Sequence, residues 1–110
     1  MKLRSAVLIM CSVLEAPAAA QKSASEVTDA QIRDYKRAAE KSCLETGKAR
    51  GDPPEKVASF CKCMTGVFEK NMSRAEWQNA FFFSVQKREK EEANVFGPHL
   101  TKVRGCTPPG

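Results

Sequence analysis

The sequence predicts a small all-α protein, a disulfide-stapled bundle of three helices with a short C-terminal helix or tail. Apolar residues recur at spacings of three and four in three segments, which is the period of an amphipathic helix. No segment alternates with the period of two that a half-buried strand shows. Four cysteines follow an apolar leader, and an even number of cysteines in a short exported chain is typical of two disulfides.

Residues 1–20 have the pattern of a secretory signal peptide. Lys2 and Arg4 give a positive start, residues 6–14 are apolar, and the alanines at 18–20 form a small-residue cleavage site. The apolar run is far shorter than the roughly 20 residues that cross a bilayer. We therefore expect no integral membrane segment after cleavage, and a periplasmic or secreted protein.

The predicted mature chain is one small domain with a mild positive charge. Residues 21–26 are predicted to form a flexible N-terminal tail, and residues 27–110 a single helical domain. The whole chain has 18 basic and 13 acidic residues, of which the leader holds two and one, so 16 and 12 remain. This small excess indicates that the protein binds no nucleic acid.

The first predicted helix ends near Gly47, which is expected to act as its C-terminal cap. Residues 48–51 then form a polar linker whose shortness favours an antiparallel neighbour. The inward-facing stripe of this helix consists of Ile32, Tyr35, Ala39 and Cys43.

The second predicted helix begins at Asp52-Pro53-Pro54-Glu55. Asp52 is expected to be the N-cap and Glu55 its capping-box partner, with the prolines in the first turn. Asn71 is expected to end the helix. Its apolar face consists of Val57, Phe60, Cys61, Met64 and Phe68.

The third predicted helix has a second capping box, formed by Ser73 and Glu76. Met72 is expected to pack on Trp77 as a hydrophobic staple, and the helix is expected to run to about Glu91. Its inner stripe consists of Trp77, Ala80, Phe81, Ser84 and Val85. After it, a Gly-Pro pair predicts a last short helix or tail that ends before the final cysteine.

The stretch FCKCM at 60–64 places two cysteines on the second helix with one residue between them. Residues two apart on a helix point about 200° away from one another, so Cys61 and Cys63 cannot easily bond to each other. We therefore expect two disulfides, with Cys43–Cys61 and Cys63–Cys106 as the favoured pairs. The swapped pairing, Cys43 to Cys63 and Cys61 to Cys106, remains open.

No arrangement typical of catalysis or metal binding is present, so no catalytic residue, metal ligand or cofactor is predicted. A zinc site usually has two to four residues between paired cysteines, and a redox pair is normally Cys-x-x-Cys. His99 lacks a nucleophile motif nearby and is expected to be exposed, and Glu91 and Glu92 are neighbours on a charged face. We predict that the protein is not an enzyme. A thiol-based metal-binding or redox protein that uses Cys61 and Cys63 is the alternative.

The run AFFF at 80–83 holds more aromatic surface than one helix face can bury. Successive helical residues lie about 100° apart, so Phe82 and Phe83 fall on opposite flanks of the inner stripe. In one interpretation the tail and the first helix cover them. In the other, one phenylalanine stays exposed as an anchor for a partner, which makes Phe82, Phe83, Trp77 and Phe96 the candidate partner surface. A homodimer that formed through this surface would show the same surplus of aromatic residues in the sequence.

Four motifs follow one another between about residues 40 and 106: a single cysteine, the stretch FCKCM, the stretch MSRAE at 72–76 and a last cysteine. This order resembles that of small, largely uncharacterised exported helical proteins of Gram-negative bacteria. The resemblance implies a periplasmic location and a disulfide framework, and it transfers no catalytic residue. Because the scaffold is stapled, aromatic residues are in surplus and no catalytic constellation is present, we predict a non-enzymatic periplasmic protein. It is expected to bind another periplasmic or exported protein, as an inhibitor, immunity factor or chaperone.

Overall fold

The computed structural model describes residues 23–109, so the predicted signal peptide and the first two residues of the predicted tail lie outside it. These described residues form helices joined by short turns and contain no strand. The predicted all-α, disulfide-stapled fold is confirmed. The helices are α1 (Asp29–Arg50), α2 (Pro54–Asn71), α3 (Arg74–Val85), α4 (Glu89–Phe96) and α5 (Leu100–Val103), with single 3-10 turns at Ala24–Glu26 and Gly97–His99.

Helix α1 is longer than predicted, because Gly47 does not end it. The helix continues to Arg50 and ends where Gly51 adopts a left-handed φ of 81°. Gly47 is instead a buried contact with α2: a Cβ atom at this position would lie 2.5 Å from Cγ1 of Val57. A glycine is therefore needed at 47 for the close approach of the two helices.

Helix α2 ends at Asn71 as predicted, but it begins without the predicted capping box. Pro53 is the N-cap residue, and no side chain caps the helix. Asp52 accepts a hydrogen bond from Arg50 instead, with 3.2 Å between Nε and Oδ2. The role assigned to Asp52 and Glu55 was therefore wrong.

Helix α3 begins with the predicted capping box. The backbone N–H of Glu76 donates to Ser73 Oγ at 3.1 Å, and the N–H of Ser73 donates to Glu76 Oε1 at 2.9 Å. The helix ends at Val85, however, and not near Glu91. Lys87 adopts a φ of 60°, and the chain turns there into α4.

The core is an aromatic and aliphatic cluster where α1, α2 and α3 meet. Val27, the first residue of the predicted domain, is fully buried in this cluster. Residues 24–26, at the end of the predicted tail, form a 3-10 turn that contributes no buried residue. Gln78 on α3 holds this segment by donating to the carbonyl oxygen of Val27 at 3.0 Å. The buried members of the cluster are Val27, Ile32, Phe68, Met72 and Trp77.

Two disulfides cross-link the helices. Cys43 on α1 is bonded to Cys61 on α2, and Cys63 on α2 is bonded to Cys106 after α5, with Cα–Cα distances of 5.9 and 5.8 Å. These are the pairs that the helical geometry favoured. Among the helices described between residues 23 and 109, none is both long enough and apolar enough to cross a membrane.

Candidate functional site

The structure divides the predicted partner surface into two pairs of aromatic residues. The rings of Trp77 and Phe96 meet edge to face at 6.0 Å, and the rings of Phe82 and Phe83 meet at 5.9 Å. Trp77, which was predicted to lie beside an exposed phenylalanine on this surface, is only 6% exposed and belongs to the core. The pairs separate because Phe82 and Phe83 are turned about 140° and 240° from Trp77 around α3.

The first candidate site lies at the end of α3, and we call it the Phe83–Arg88 patch. It comprises Phe82, Phe83, Val85 and Arg88. Phe82 packs on the core, Phe83 is half-buried, and Val85 is exposed. The guanidinium carbon of Arg88 lies 5.0 Å from the centroid of the Phe83 ring, which is a cation–π contact.

The turn between α3 and α4 positions Arg88 over Phe83. The backbone N–H of Arg88 donates to the carbonyl of Phe83 at 2.9 Å, and that of Lys87 donates to Ser84 at 3.1 Å. The left-handed backbone of Lys87 is uncommon for a residue with a side chain. A hydrogen bond from Arg88 lowers the pKa of Glu91, and a 2.7 Å ion pair holds that carboxylate beside the arginine.

The second candidate site is a cleft of about 460 Å³ between α1, α2, α3 and α4, which we call the aromatic cleft. Small side chains on α1, at Ala38, Ala39 and Ser42, leave room for it. Its apolar walls consist of Tyr35, Met64, Phe68, Trp77 and Phe96.

Two polar contacts lie beside these walls. The hydroxyl of Tyr35 donates to Glu92 and so links α1 to α4. Burial raises the pKa of Tyr35 far above its ordinary value, and the hydrogen bond to Glu92 adds to this shift. The ammonium of Lys36 lies 2.8 Å from Glu69 Oε2 and 4.8 Å from the centroid of the Trp77 ring.

His99 was expected to be exposed, but its side chain is only 13% exposed. Its Nε2 lies 2.8 Å from Glu76 Oε2, so the carboxylate sits between Ser73 and His99. A serine nucleophile needs the imidazole next to the hydroxyl, with the carboxylate behind the ring. This trio therefore does not have the geometry of a catalytic triad, and it fastens the C-terminal segment to the start of α3.

Both thiols of the predicted alternative site, Cys61 and Cys63, are part of disulfides. Across residues 23–109, no group of three or more His, Cys, Asp or Glu side chains is placed to hold a metal ion.

Sequence reasoning missed the aromatic cleft and its charged residues Lys36, Glu69 and Glu92. The only available signal was that Tyr35, Phe68 and Trp77 lie on the inner stripes of three separate helices. The chain matches no protein-family model, no curated protein and no solved structure.

Proposed function

We propose that this chain is a non-enzymatic, exported protein-binding module that binds its partner through the Phe83–Arg88 patch. The stacking of Arg88 on Phe83 is the observation that carries the proposal. Aromatic residues and arginine are enriched at the centres of protein interfaces, where they supply most of the binding energy. Export to the periplasm is supported by the leader pattern and by disulfides, which persist in oxidising compartments.

Contacts within the chain orient the side chains of the patch. Phe82 is anchored in the core, and Arg88 is held by the backbone turn and by its ion pair with Glu91. A side chain that is already ordered loses less entropy when it is buried in an interface. The rigid turn therefore favours binding at this position.

The charges around the patch indicate the chemistry of the partner. The stretch at residues 87–92 holds three basic and three acidic side chains, but two of the acidic ones are already engaged, Glu91 by Arg88 and Glu92 by the hydroxyl of Tyr35. The partner that complements it is a protein with an apolar pocket for Phe83 and carboxylates at the rim of that pocket. An inhibitor, an immunity protein or a chaperone would use such a surface without catalysis.

Capture from periplasmic extract, followed by titration of the purified captured protein, tests the proposal. The baits are the wild type, Phe83→Ser and a control, Leu100→Ser, which removes an apolar side chain that is 48% exposed on α5. We expect wild type and control to bind the same protein equally, and Phe83→Ser to bind it at least about tenfold more weakly. Capture of nothing, or equal binding by all three baits, would overturn the proposal.

A further inference from the structure

We infer that the aromatic cleft is a separate binding site for a small organic cation of the quaternary ammonium class. The cleft volume, about 460 Å³, falls within the roughly 300–1,000 Å³ of small-molecule sites. Neither Phe83 nor Arg88 lines it. The inference is therefore independent of the proposed protein-binding surface.

The walls of the cleft have the character of an aromatic cage. The ring planes of Tyr35 and Phe96 each stand at 79° to that of Trp77, so the walls face in different directions. The ring of Phe68 meets that of Phe96 edge to face, with 5.0 Å between the centroids, and is the fourth aromatic wall of the cleft. The face of an aromatic ring carries negative charge density and attracts a cation within about 6 Å of its centroid.

The charges of the lining also favour a cation. Lys36 contributes one positive charge, and Glu69 and Glu92 contribute one negative charge each, so the lining has a net charge of −1. Glu92 is fixed at the cleft by the hydroxyl of Tyr35. An apolar cleft with a net negative lining complements a cation with an apolar surface better than it complements a neutral or anionic molecule.

Lys36 shows that a cation is stable in this position. Its ammonium lies over the Trp77 ring at 4.8 Å and beside Glu69 at 2.8 Å. The lysine side chain is 31% exposed and can turn out to solvent. A ligand cation would take its place over Trp77. A trimethylammonium group suits this position because it has no N–H donors that would need hydrogen-bond partners in the apolar cleft.

Trp77 is the only tryptophan of the chain, so its fluorescence reports on the cleft directly. The full mature chain is titrated with choline and with 3,3-dimethyl-1-butanol, which has nearly the same shape and no charge. We expect a saturable change with choline and at least about tenfold weaker binding of the neutral compound, which corresponds to about 1.4 kcal/mol from the cation–π and charge interactions together. Equal binding of the two compounds, or no saturable change with either, would overturn the inference.

Two substitutions separate the roles of charge and cavity. Lys36→Met removes the competing ammonium, so choline should bind about fivefold tighter while the neutral compound gains less. Glu92→Gln removes a carboxylate and should weaken choline binding several-fold without affecting the neutral compound. Phe83→Ser should leave choline binding unchanged, which distinguishes a failure of this inference from a failure of the proposed protein-binding function. Equal responses of the two compounds to Lys36→Met would show an apolar cleft without preference for a cation.

Discussion

The two ends of the α1–α2 hairpin are held together by different means. At the end near the interhelical turn, the Cys43–Cys61 disulfide and the contact of Gly47 with Val57 fix the helices, and Leu44 remains exposed. At the other end, Ile32 and Phe68 pack with Trp77, and α3 and α4 cover them. The turn end is fixed by a covalent bond and a close backbone approach, and the aromatic end by buried side-chain area.

Both proposed binding sites lie at the aromatic end. The turn end uses small residues and a cross-link to set helix geometry. The aromatic end carries α3 and α4, on which the Phe83–Arg88 patch lies and which complete the aromatic cleft. The turn end therefore acts as a scaffold, and the two ends should respond differently to substitution.

The largest effect is expected at the aromatic end. Trp77→Ala should lower the free energy of unfolding by about 3–5 kcal/mol, because a large buried ring is lost and a cavity remains. Leu44→Ala, at the exposed turn end, should cost less than about 1 kcal/mol. Urea denaturation followed by circular dichroism measures both. If both variants lost the same free energy of unfolding, packing would not be what stabilises the aromatic end.

Removal of the disulfides should produce the next largest effect. The bonded cysteines are 18 residues apart in Cys43–Cys61 and 43 apart in Cys63–Cys106. In the chain-entropy model, replacing each pair by alanine costs about 3 and about 4 kcal/mol respectively. Denaturation of each double variant checks the values, and a smaller cost for the pair that closes the longer loop would contradict the model.

Gly47→Ala tests the close approach at the turn end. The added methyl group would meet both Cγ atoms of Val57, at 2.5 and 2.7 Å, so we expect a net loss of about 1–3 kcal/mol in spite of the better helix propensity of alanine. Gly66→Ala is the matched control, because Gly66 lies in α2 with nothing within 4 Å of the new methyl group. It should stabilise the protein by up to about 1 kcal/mol. Val57→Ala should rescue part of the loss.

The smallest effect concerns acid sensitivity at the start of α3. The hydrogen bond from the backbone of Ser73, followed by the one from His99, lowers the pKa of Glu76 below its usual 4.5. A lowered folded-state pKa means that the stabilisation is present above pH 4.5 and is lost as the pH falls below it.

The free energy of unfolding of Glu76→Gln should therefore vary less with pH in this acidic range than that of the wild type. Glu55→Gln, an exposed carboxylate in the first turn of α2, is the control and should follow the wild type. A Glu76→Gln curve parallel to the wild-type curve would contradict the role given to this carboxylate.

Local patterns were sufficient to predict the fold class, because helical period and capping chemistry lie within a few residues of one another. The capping box of Ser73 and Glu76 is of this kind. Local geometry also separated Cys61 from Cys63, which face different sides of one helix, and favoured the observed pairs without excluding the swapped ones.

Gly47 was assigned wrongly because a contact distant in sequence decides its role. Gly47 has the sequence signature of a cap, but Val57 on the neighbouring helix gives it another role. The turn at Lys87 lies in a run of good helix formers with no local breaker. The aromatic cleft depends on that turn, because only the break after α3 brings Glu92 to Tyr35 and Phe96 to Trp77.

Native-state hydrogen exchange on the Cys43→Ala/Cys61→Ala variant tests most directly whether the two ends are stabilised independently. We expect the amides of α1 and α2 near Gly47 and Val57 to lose protection against exchange. The amides of α3 around Trp77 should still exchange only through global unfolding of the variant. Choline should still change the fluorescence of Trp77 in this variant. A uniform loss of protection along all helices would contradict independent stabilisation, and would show that the aromatic end also requires the disulfide.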